Sequence, residues 1–366
     1  MTDQRGERIL VIAGLGIWVD GVPKIGKIET HLFPLARAAE EVIYVTTGPA
    51  APGNNDIRYV LVTPRRSRTV TLLVQLLVAL RIALFEDIDL VSSFSLPPYG
   101  IFALIVGRIS RTPTHLGIIG ADIDIHATAW YGGIPRWLFR RFTLITVAGF
   151  TVKTRVAACG VPLDRVFVVM HPVSEEFYTA EPATRRYDLL WLTRMSSEKD
   201  PLRFVAIVDA VRESHPDLTV AMVGDGPLLE TVTNTISDRG LEDTIELVGW
   251  TDRPIQYYRT SRLYVMTSER EILPLSLVEA MLLGVVPIVP PVGAIPELVT
   301  NGKNGRVILD RDIPSYAAAI DELLSDEAKR KRLADNAREI RTDISQPRVA
   351  ETWEEILATL ESGKIR

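Results

Sequence analysis

Short runs of apolar residues alternate with longer stretches of helical periodicity along the whole chain. In the first half, these runs predict strands at residues 9–13, 42–46, 90–93, 114–119, 144–147 and 166–170. The second half restarts the alternation, with strands predicted at 187–192, 219–223, 245–248, 263–266 and 286–289 and helices at 201–213, after Pro227 and at 275–283. Strands separated by helices are typical of βαβ units, so we predict an α/β fold with two doubly wound parallel sheets.

The two halves meet at a polar stretch, residues 174–186, which contains Pro182 and separates a finished strand from a new one. We therefore predict two Rossmann-like domains, residues 1–178 and 179–345, that face a central cleft. Residues 346–366 include an amphipathic helix that carries Trp353. By analogy with other two-lobed chains, we expect this helix to return to the N-terminal domain.

The most hydrophobic segment, residues 69–85, raises the question of a membrane. Gln75 and Arg81 interrupt it, and it is shorter than the roughly 20 apolar residues that a spanning helix needs. We favour a helix buried in the first domain. The alternative is a peripheral contact with anionic lipid, because Arg65, Arg66 and Arg68 precede the segment.

The composition excludes several classes of protein. Of the 366 residues, 47% are hydrophobic and 24% are charged, which indicates a folded chain rather than a disordered one. The formal net charge of -5 gives no general attraction for nucleic acid, so we expect no nucleic-acid partner. The single cysteine, Cys159, allows neither an intrachain disulfide nor a structural zinc cage, and the first apolar run is too short for a signal peptide. We expect a cytoplasmic protein, including the inner face of the membrane.

Two glutamates flank the predicted start of a helix in the second half. Glu271 lies in the loop after a strand, Glu279 lies on the helix, and Pro274 suits its first turn. Free backbone N–H groups at a helix start favour an anion such as a diphosphate. Ionised carboxylates only accept hydrogen bonds, so Glu279 suits a ribose and Glu271 the hydroxyls of a second sugar. Taken alone, the pair also fits two solvated surface glutamates.

A second group of candidates follows the first strand of the same half. Arg194 comes from the carboxyl end of that strand, and Lys199 lies just before the next helix, at the edge where open α/β sheets bind ligands. A forked guanidinium with a mobile ammonium suits a diphosphate without a metal ion, although isolated cations are more often surface residues. Gly224 and the glycine before Trp250 end two further strands, where glycine allows the protein backbone to approach a bound nucleotide closely, although glycine is equally common in ordinary turns.

The order of these motifs resembles the donor-binding domain of the GT4 family of retaining glycosyltransferases, which have the GT-B fold. The resemblance covers residues 187–310 and rests on Arg194 with Lys199, GDGPL at 224–228, VGW at 248–250, E-x7-E from Glu271 to Glu279 and VGAIPELVTNGKNG at 292–305. Residues 25–31 also resemble the N-terminal glycine loop of the family. Lys27 departs from the second glycine of that loop, and Ile272 departs from the glycine that usually follows the first glutamate.

The resemblance implies transfer of a sugar from a nucleotide-diphosphate sugar, a UDP- or GDP-sugar, to an acceptor hydroxyl with retention of configuration. The acceptor would be a glycan, a lipid-linked glycan or a small molecule, and no metal or other cofactor is implied. Glu271, Arg194 and Lys199 would be catalytic, through the donor sugar and the phosphates. The implied donor-binding residues are Glu279, Gly26, Lys27, Gly224, Trp250, Leu273, Pro274 and Leu275.

The acceptor side is marked by a G-x-D segment in the first half. Asp122 and His126 follow a predicted strand there, and either could orient an acceptor hydroxyl. Loop polarity explains both residues equally well.

Three other functions remain open from the sequence. D-x-D pairs at 87/89, 122/124 and 310/312 are typical of metal-dependent transferases, although three unrelated copies favour coincidence. The glycine turn after residues 9–13 is typical of NAD-dependent oxidoreductases, but Val19 occupies the third glycine position of that fingerprint. The substitutions at Lys27 and Ile272 would also suit a non-catalytic subunit that binds sugar nucleotides.

Overall fold

The computed structural model describes residues 7–363 except 16, 20–21, 25, 52–55, 120–121, 124–126, 174–175, 182 and 343. The chain divides into two compact units. Unit 1 contains residues 1–174 and 343–366, and unit 2 contains residues 175–342. The boundary after residue 174 lies at the start of the polar stretch from which we predicted the join.

Unit 1 is built on a seven-stranded parallel sheet with the order β5-β4-β1-β6-β7-β8-β9. A short antiparallel hairpin, β2-β3, follows the first strand. The elements are β1 (Arg8–Ile12), β2 (Ile17–Val19), β3 (Val22–Lys24), α1 (Gly26–Ala38), β4 (Glu41–Thr46), β5 (Ile57–Leu61), α2 (Arg68–Phe85), β6 (Leu90–Ser93), α3 (Ile101–Ser110), β7 (Thr114–Ile118), α4 (Gly133–Phe139), β8 (Leu144–Val147), α5 (Phe150–Ala158) and β9 (Val166–Val168).

Unit 2 is built on a six-stranded parallel sheet with the order β12-β11-β10-β13-β14-β15. Its elements are α6 (Glu176–Thr179), β10 (Tyr187–Leu192), α7 (Pro201–Arg212), β11 (Val220–Val223), α8 (Leu229–Asp238), β12 (Ile245–Gly249), α9 (Ile255–Thr260), β13 (Ser261–Val265), α10 (Leu275–Leu282), β14 (Val286–Val289), α11 (Ile295–Leu298), β15 (Arg306–Val307), α12 (Ile313–Ser325) and α13 (Glu327–Ala337). The last helix of the chain, α14 (Gln346–Glu361), belongs to unit 1.

All eleven predicted strands are present, and the α/β class with two doubly wound sheets is confirmed. The central strands are continuous apolar runs because helices cover both faces of a parallel sheet. In unit 2, for example, Trp191 of β10 stacks on Phe204 of α7 inside the core. The hairpin residues and the edge strands β5 and β15 were not predicted.

The structure corrects our interpretation of α2. Its 18 residues have a mean hydropathy of 1.8, and α2 is the one helix in the described part of the chain that is long and apolar enough to cross a membrane. We expected a buried helix, yet only 28% of it is buried. The reason is that one face alone reaches the sheet, where the buried amide of Gln75 donates a hydrogen bond to the Val45 carbonyl at 3.0 Å.

Helix α14 packs against α1 in unit 1. Ser345 caps its N-terminus by accepting a hydrogen bond from the Arg348 N–H group. Trp353 and Ile356 are buried in the same core cluster as Leu32 and Leu35 of α1. The Trp353 ring also meets the ring of His115 edge to face, at 5.1 Å between centroids.

Candidate functional site

A cavity of about 640 Å³ opens at the carboxyl edge of the unit 2 sheet. Strands β11 and β12 lie on one side of β10 in the sheet, and β13 lies on its other side. The strand order therefore reverses between β10 and β13. Open α/β sheets bind ligands at such a reversal. The cavity lining includes Arg194 after β10, Gly224 after β11, Trp250 after β12 and Glu279 on α10.

Backbone hydrogen bonds connect the loops that form the cavity floor. The Gly224 N–H group donates to the Gly249 carbonyl at 2.7 Å, and Thr193 N–H donates to the Val223 carbonyl at 3.1 Å. Gly224 has a φ of +140°, and a Cβ atom there would lie 1.9 Å from the Thr193 carbonyl oxygen. Any side chain at this position would separate the two loops, which explains the glycine.

Glu279 presents a partly buried carboxyl group to the cavity. The hydroxyl of Tyr258 donates a hydrogen bond to its Oε2 atom at 2.8 Å. The pKa of Glu279 is raised to about 7: burial is the main cause and the nearby charge of Glu176 adds to it, while the Tyr258 hydrogen bond acts in the opposite direction. Tyr258 lies in α9 and is fully buried, so it fixes the orientation of this carboxyl group.

The start of α10 lies at the same edge. Ser276, in the first turn, lines the cavity, and its hydroxyl accepts a hydrogen bond from Tyr264 at 2.8 Å. The side chains of Leu273 and Pro274 are buried and do not line the cavity, and neither does Leu275. If these three residues contact a nucleotide sugar, as predicted, they must do so through the backbone at the start of α10.

Lys199 and Glu271 form an ion pair beside the β10 and β13 strand ends. The Lys199 Nζ atom lies 2.7 Å from Glu271 Oε1, and only 9% of the Glu271 side chain is exposed. The family resemblance assigns Lys199 to the phosphates and Glu271 to the sugar of a donor, whereas the structure shows the two side chains in contact with each other. Neither side chain lines the described cavity.

Thr267 fixes the loop that carries Lys199. Its buried hydroxyl accepts a hydrogen bond from the Trp191 indole N–H at 3.1 Å. The same hydroxyl lies 2.9 Å from the Lys199 carbonyl and 3.0 Å from that of Asp200, so it donates to this turn. Asp200 then caps α7 by accepting from the Arg203 N–H group.

Gly293 fixes the loop that carries Glu271. It has a φ of +59°, and a Cβ atom there would lie 2.1 Å from the Glu271 carbonyl oxygen. The next residue, Ala294, donates its N–H to the Ile272 carbonyl at 2.8 Å. The segment at 292–294 therefore shapes the backbone on both sides of the Glu271–Ile272 peptide.

The structure thus collects four predicted residues, Arg194, Gly224, Trp250 and Glu279, around one cavity. Sequence reasoning missed Tyr258, Thr267 and the role of Gly293. Two of these residues had a signal in the sequence. Thr267 lies at the predicted strand end before Glu271, and Gly293 lies in the VGAIPEL segment. Tyr258 had no signal, because it comes from a helix outside every motif.

The remaining predicted residues belong to unit 1. Gly26 and Lys27 begin α1, and the structure describes only their backbone. Asp122 is 4% exposed and accepts a hydrogen bond from the Leu96 N–H group at 3.0 Å, which gives it a structural role. Its contact with an acceptor stays a prediction, and His126 lies outside the described residues.

The alternative motifs have structural contacts of their own. Asp89 accepts a hydrogen bond from the Arg8 N–H group at 2.8 Å, and Asp312 caps α12 by accepting from the Ser315 N–H group at 2.7 Å. Strand β2, not a helix, follows the glycine turn after β1. A dinucleotide pyrophosphate needs a helix N-terminus at that turn, so this geometry disfavours the oxidoreductase alternative.

Comparison with known proteins places these features in a family. Residues 175–340 match the family described as Glycosyl transferases group 1. An exopolysaccharide phosphotransferase of Streptomyces coelicolor is 30% identical over 152 residues, which are 41% of this chain and 16% of that protein. The poly(glycerol-phosphate) alpha-glucosyltransferase of Bacillus subtilis is 29% identical over 173 residues, which are 46% of this chain and 25% of that protein.

Among solved structures, HepE of Anabaena in complex with UDP and glucose has a TM-score of 0.78 at 20% identity, covering 97% of this chain and 99% of HepE. Unit 2 therefore matches the group 1 glycosyltransferase family along almost its whole length, as its motifs predicted, and the GT-B fold with two Rossmann-like domains is confirmed. The chain spans a quarter or less of the two curated relatives described above.

Proposed function

We propose that this protein is a retaining glycosyltransferase of the hexosyltransferase type. It transfers a sugar from a UDP- or GDP-sugar to the hydroxyl of a glycan, a lipid-linked glycan or a small molecule. The observation that carries the proposal is the open cavity that brings Arg194, Trp250 and Glu279 together at the sheet reversal of a group 1 domain. The complex of HepE with UDP and glucose supports UDP as the first nucleotide to test.

The cavity offers a separate partner for each part of a nucleotide. Trp250 is 57% exposed and presents a ring on which a base can stack. The ionised carboxylate of Glu279 accepts hydrogen bonds from ribose hydroxyls. The exposed guanidinium of Arg194 has no hydrogen bond or ion pair among the described residues, so it is available for a phosphate.

The chemistry follows from the charge that develops on the leaving group. As the bond between the donor sugar and the diphosphate breaks, negative charge grows on the phosphate oxygens and positive charge on the sugar. Arg194, Lys199 and the N–H groups at the start of α10 stabilise the anion. Glu271, held by Lys199, binds the donor sugar. The acceptor oxygen attacks on the same face and gives its proton to the departing phosphate.

The proposal requires no metal ion and places the reaction in the cytoplasm. Arginine, lysine and a helix N-terminus supply the positive charge that a divalent cation supplies in other transferases. Activity should survive EDTA, and recovery of lost activity by Mn²⁺ would favour the metal-dependent alternative. The single cysteine, Cys159, suits a reducing compartment.

The proposed roles of the two glutamates can be separated by measurement. Glu279→Ala should weaken UDP binding by roughly 10- to 100-fold, since it removes hydrogen bonds to a charged acceptor. Glu271→Ala should leave UDP binding near the wild-type value and reduce kcat by at least about 100-fold. Calorimetry with UDP and assays of UDP release from UDP-glucose, UDP-GlcNAc and GDP-mannose would measure the two effects.

Glu269→Ala is the matched control, because Glu269 is an exposed carboxylate in the same loop and should change neither value. Unchanged kinetics in both Glu271→Ala and Glu279→Ala would contradict the assignment. Binding of a sugar nucleotide without transfer or hydrolysis would instead favour the non-catalytic alternative. The NMR coupling constant of the product's anomeric proton tests retention directly.

A further inference from the structure

Helix α2 presents an apolar row to solvent. Leu73, Leu77 and Leu84 are each at least half exposed, and Leu77 reaches 63%. Their spacing of four and seven residues places them on one face of the helix. Gln75 holds the opposite face on the sheet through its bond to the Val45 carbonyl, so the leucine row does not belong to the core of unit 1.

Helix α3 repeats this pattern beside α2. Ile101, Ile105 and Ile109 are exposed at intervals of four residues, and the two helices pack against each other. The two rows form what we call the α2–α3 surface: Leu73, Leu77, Leu84, Ile101, Ile105 and Ile109. Single exposed apolar residues are ordinary on protein surfaces, but two adjacent rows indicate an interaction site.

A groove of about 550 Å³ extends this surface from α3 to α4. Ile105 and Arg108 line one side, and Trp137 and Arg141 line the other. The Arg141 guanidinium lies 4.4 Å from the centre of the half-exposed Trp137 ring. Tryptophan and arginine together suit the boundary between acyl chains and headgroups, where an apolar ring and a positive charge are both satisfied.

The segment of the chain that carries this surface is basic, although the whole chain is acidic. Residues 57–163 contain twelve Arg and Lys against five Asp and Glu, whereas the chain has 41 against 46. Arg65, Arg66 and Arg68 are exposed at the N-terminal end of α2. Glu86, beyond its C-terminal end, is already paired with Arg8 and Arg58.

We propose that the α2–α3 surface docks onto an anionic lipid bilayer. The leucine and isoleucine rows enter the interface, and Arg65, Arg66 and Arg68 contact lipid phosphates. A second copy of the chain is a poorer occupant, because like charges around both surfaces would repel each other. The proposal depends on unit 1 alone, so it goes beyond the transfer reaction proposed for unit 2.

Vesicle flotation of the full chain tests the docking. The protein should float with vesicles that contain 30% phosphatidylglycerol in phosphatidylcholine, and binding should weaken as NaCl rises. Leu73→Glu/Leu77→Glu should reduce the bound fraction at least tenfold. Arg65→Glu/Arg66→Glu should reduce it by a similar factor, since each basic residue near an anionic surface increases the affinity for the membrane about fivefold.

The matched pair of single variants is Leu77→Glu and Leu309→Glu. Leu309 lies in unit 2 and is 74% exposed, so its substitution controls for the added charge. UDP binding and the thermal transition, measured on every variant, separate lost docking from lost folding and from failure of the proposed function. Equal loss in both single variants, equal binding to pure phosphatidylcholine, or a dimer that ignores vesicles would each overturn the proposal.

Discussion

Binding of the nucleotide that we propose for unit 2 is linked to the protonation state of Glu279. Burial and the charge of Glu176 raise its pKa to about 7, so the free protein holds this proton through the acidic range. Ribose hydroxyls need an acceptor, which the ionised carboxylate provides. Nucleotide binding and release of the proton are therefore linked. In the free protein, the same shift means that this group's contribution to folding stability is lost as pH rises from 4.5 to 7.

UDP affinity should consequently increase with pH, by about tenfold between pH 6 and pH 8 for one group that titrates near 7. Tyr258→Phe should move the midpoint upward, since the lost hydrogen bond favours the ionised form. Calorimetry across this range measures both profiles. Glu279→Gln should show only the residual slope from the phosphates of UDP, and a wild-type profile that matches this variant would contradict the linkage.

At the scale of elements, the strands were predictable and the exposure of α2 was not. Parallel strands buried on both faces leave continuous apolar runs in the sequence, as in β10 and β14. Strand β5 was not predicted because it lies at an edge of the sheet and only its first residue, Ile57, is buried. The composition of α2 is that of a core helix, and only the position of the neighbouring elements decides how much of it is covered.

The candidate site was predictable where its residues follow strand ends in motifs. Arg194, Gly224 and Trp250 meet at one edge because the carboxyl ends of parallel strands share that edge. The contact between Lys199 and Glu271 was not predictable, since 72 residues separate them in sequence. The hydrogen bond from Tyr258 to Glu279 depends on how α9 packs against α10, which no local pattern encodes.

Gly293 offers a test of whether the loop after β13 must keep its backbone path. Gly293→Ala adds a Cβ atom 2.1 Å from the Glu271 carbonyl oxygen, so the loop must move and kcat should fall by roughly tenfold or more. UDP affinity should change little. Assays of UDP release and calorimetry separate the two quantities.

Gly302→Ala is the control for backbone strain. Gly302 also has a positive φ, +76°, but no atom lies within 4 Å of its added Cβ. Both variants should lose about 1–2 kcal/mol of stability from the left-handed conformation. A similar loss of kcat in both would show that strain, and not the contact with the Glu271 loop, is responsible.

At the scale of the whole molecule, unit 1 includes a helix, α14, that follows unit 2 in the sequence. Helix α14 adds Val349, Trp353, Ile356 and Leu357 to a core whose other buried members precede residue 170. Trp353→Ala should cost unit 1 about 3–5 kcal/mol, the usual range for a buried tryptophan. Urea unfolding followed by fluorescence or circular dichroism measures this loss.

Glu354→Ala, on the exposed side of the same helix, should stay within about 0.5 kcal/mol of the wild type. UDP binding by unit 2 should persist in both variants at denaturant concentrations below the first transition. Simultaneous loss of UDP binding and of the unit 1 signal in Trp353→Ala would mean that the two units unfold as one.

This chain path sets the order in which the protein matures on the ribosome. Unit 2 is one continuous stretch, so it is complete as soon as its last residue emerges. The face of α1 that α14 covers, with Leu32 and Leu35, waits while residues 175–345 are translated, on the order of 10–30 s at 5–20 residues per second. During that interval the N-terminal half is a natural client for chaperones that recognise exposed leucine.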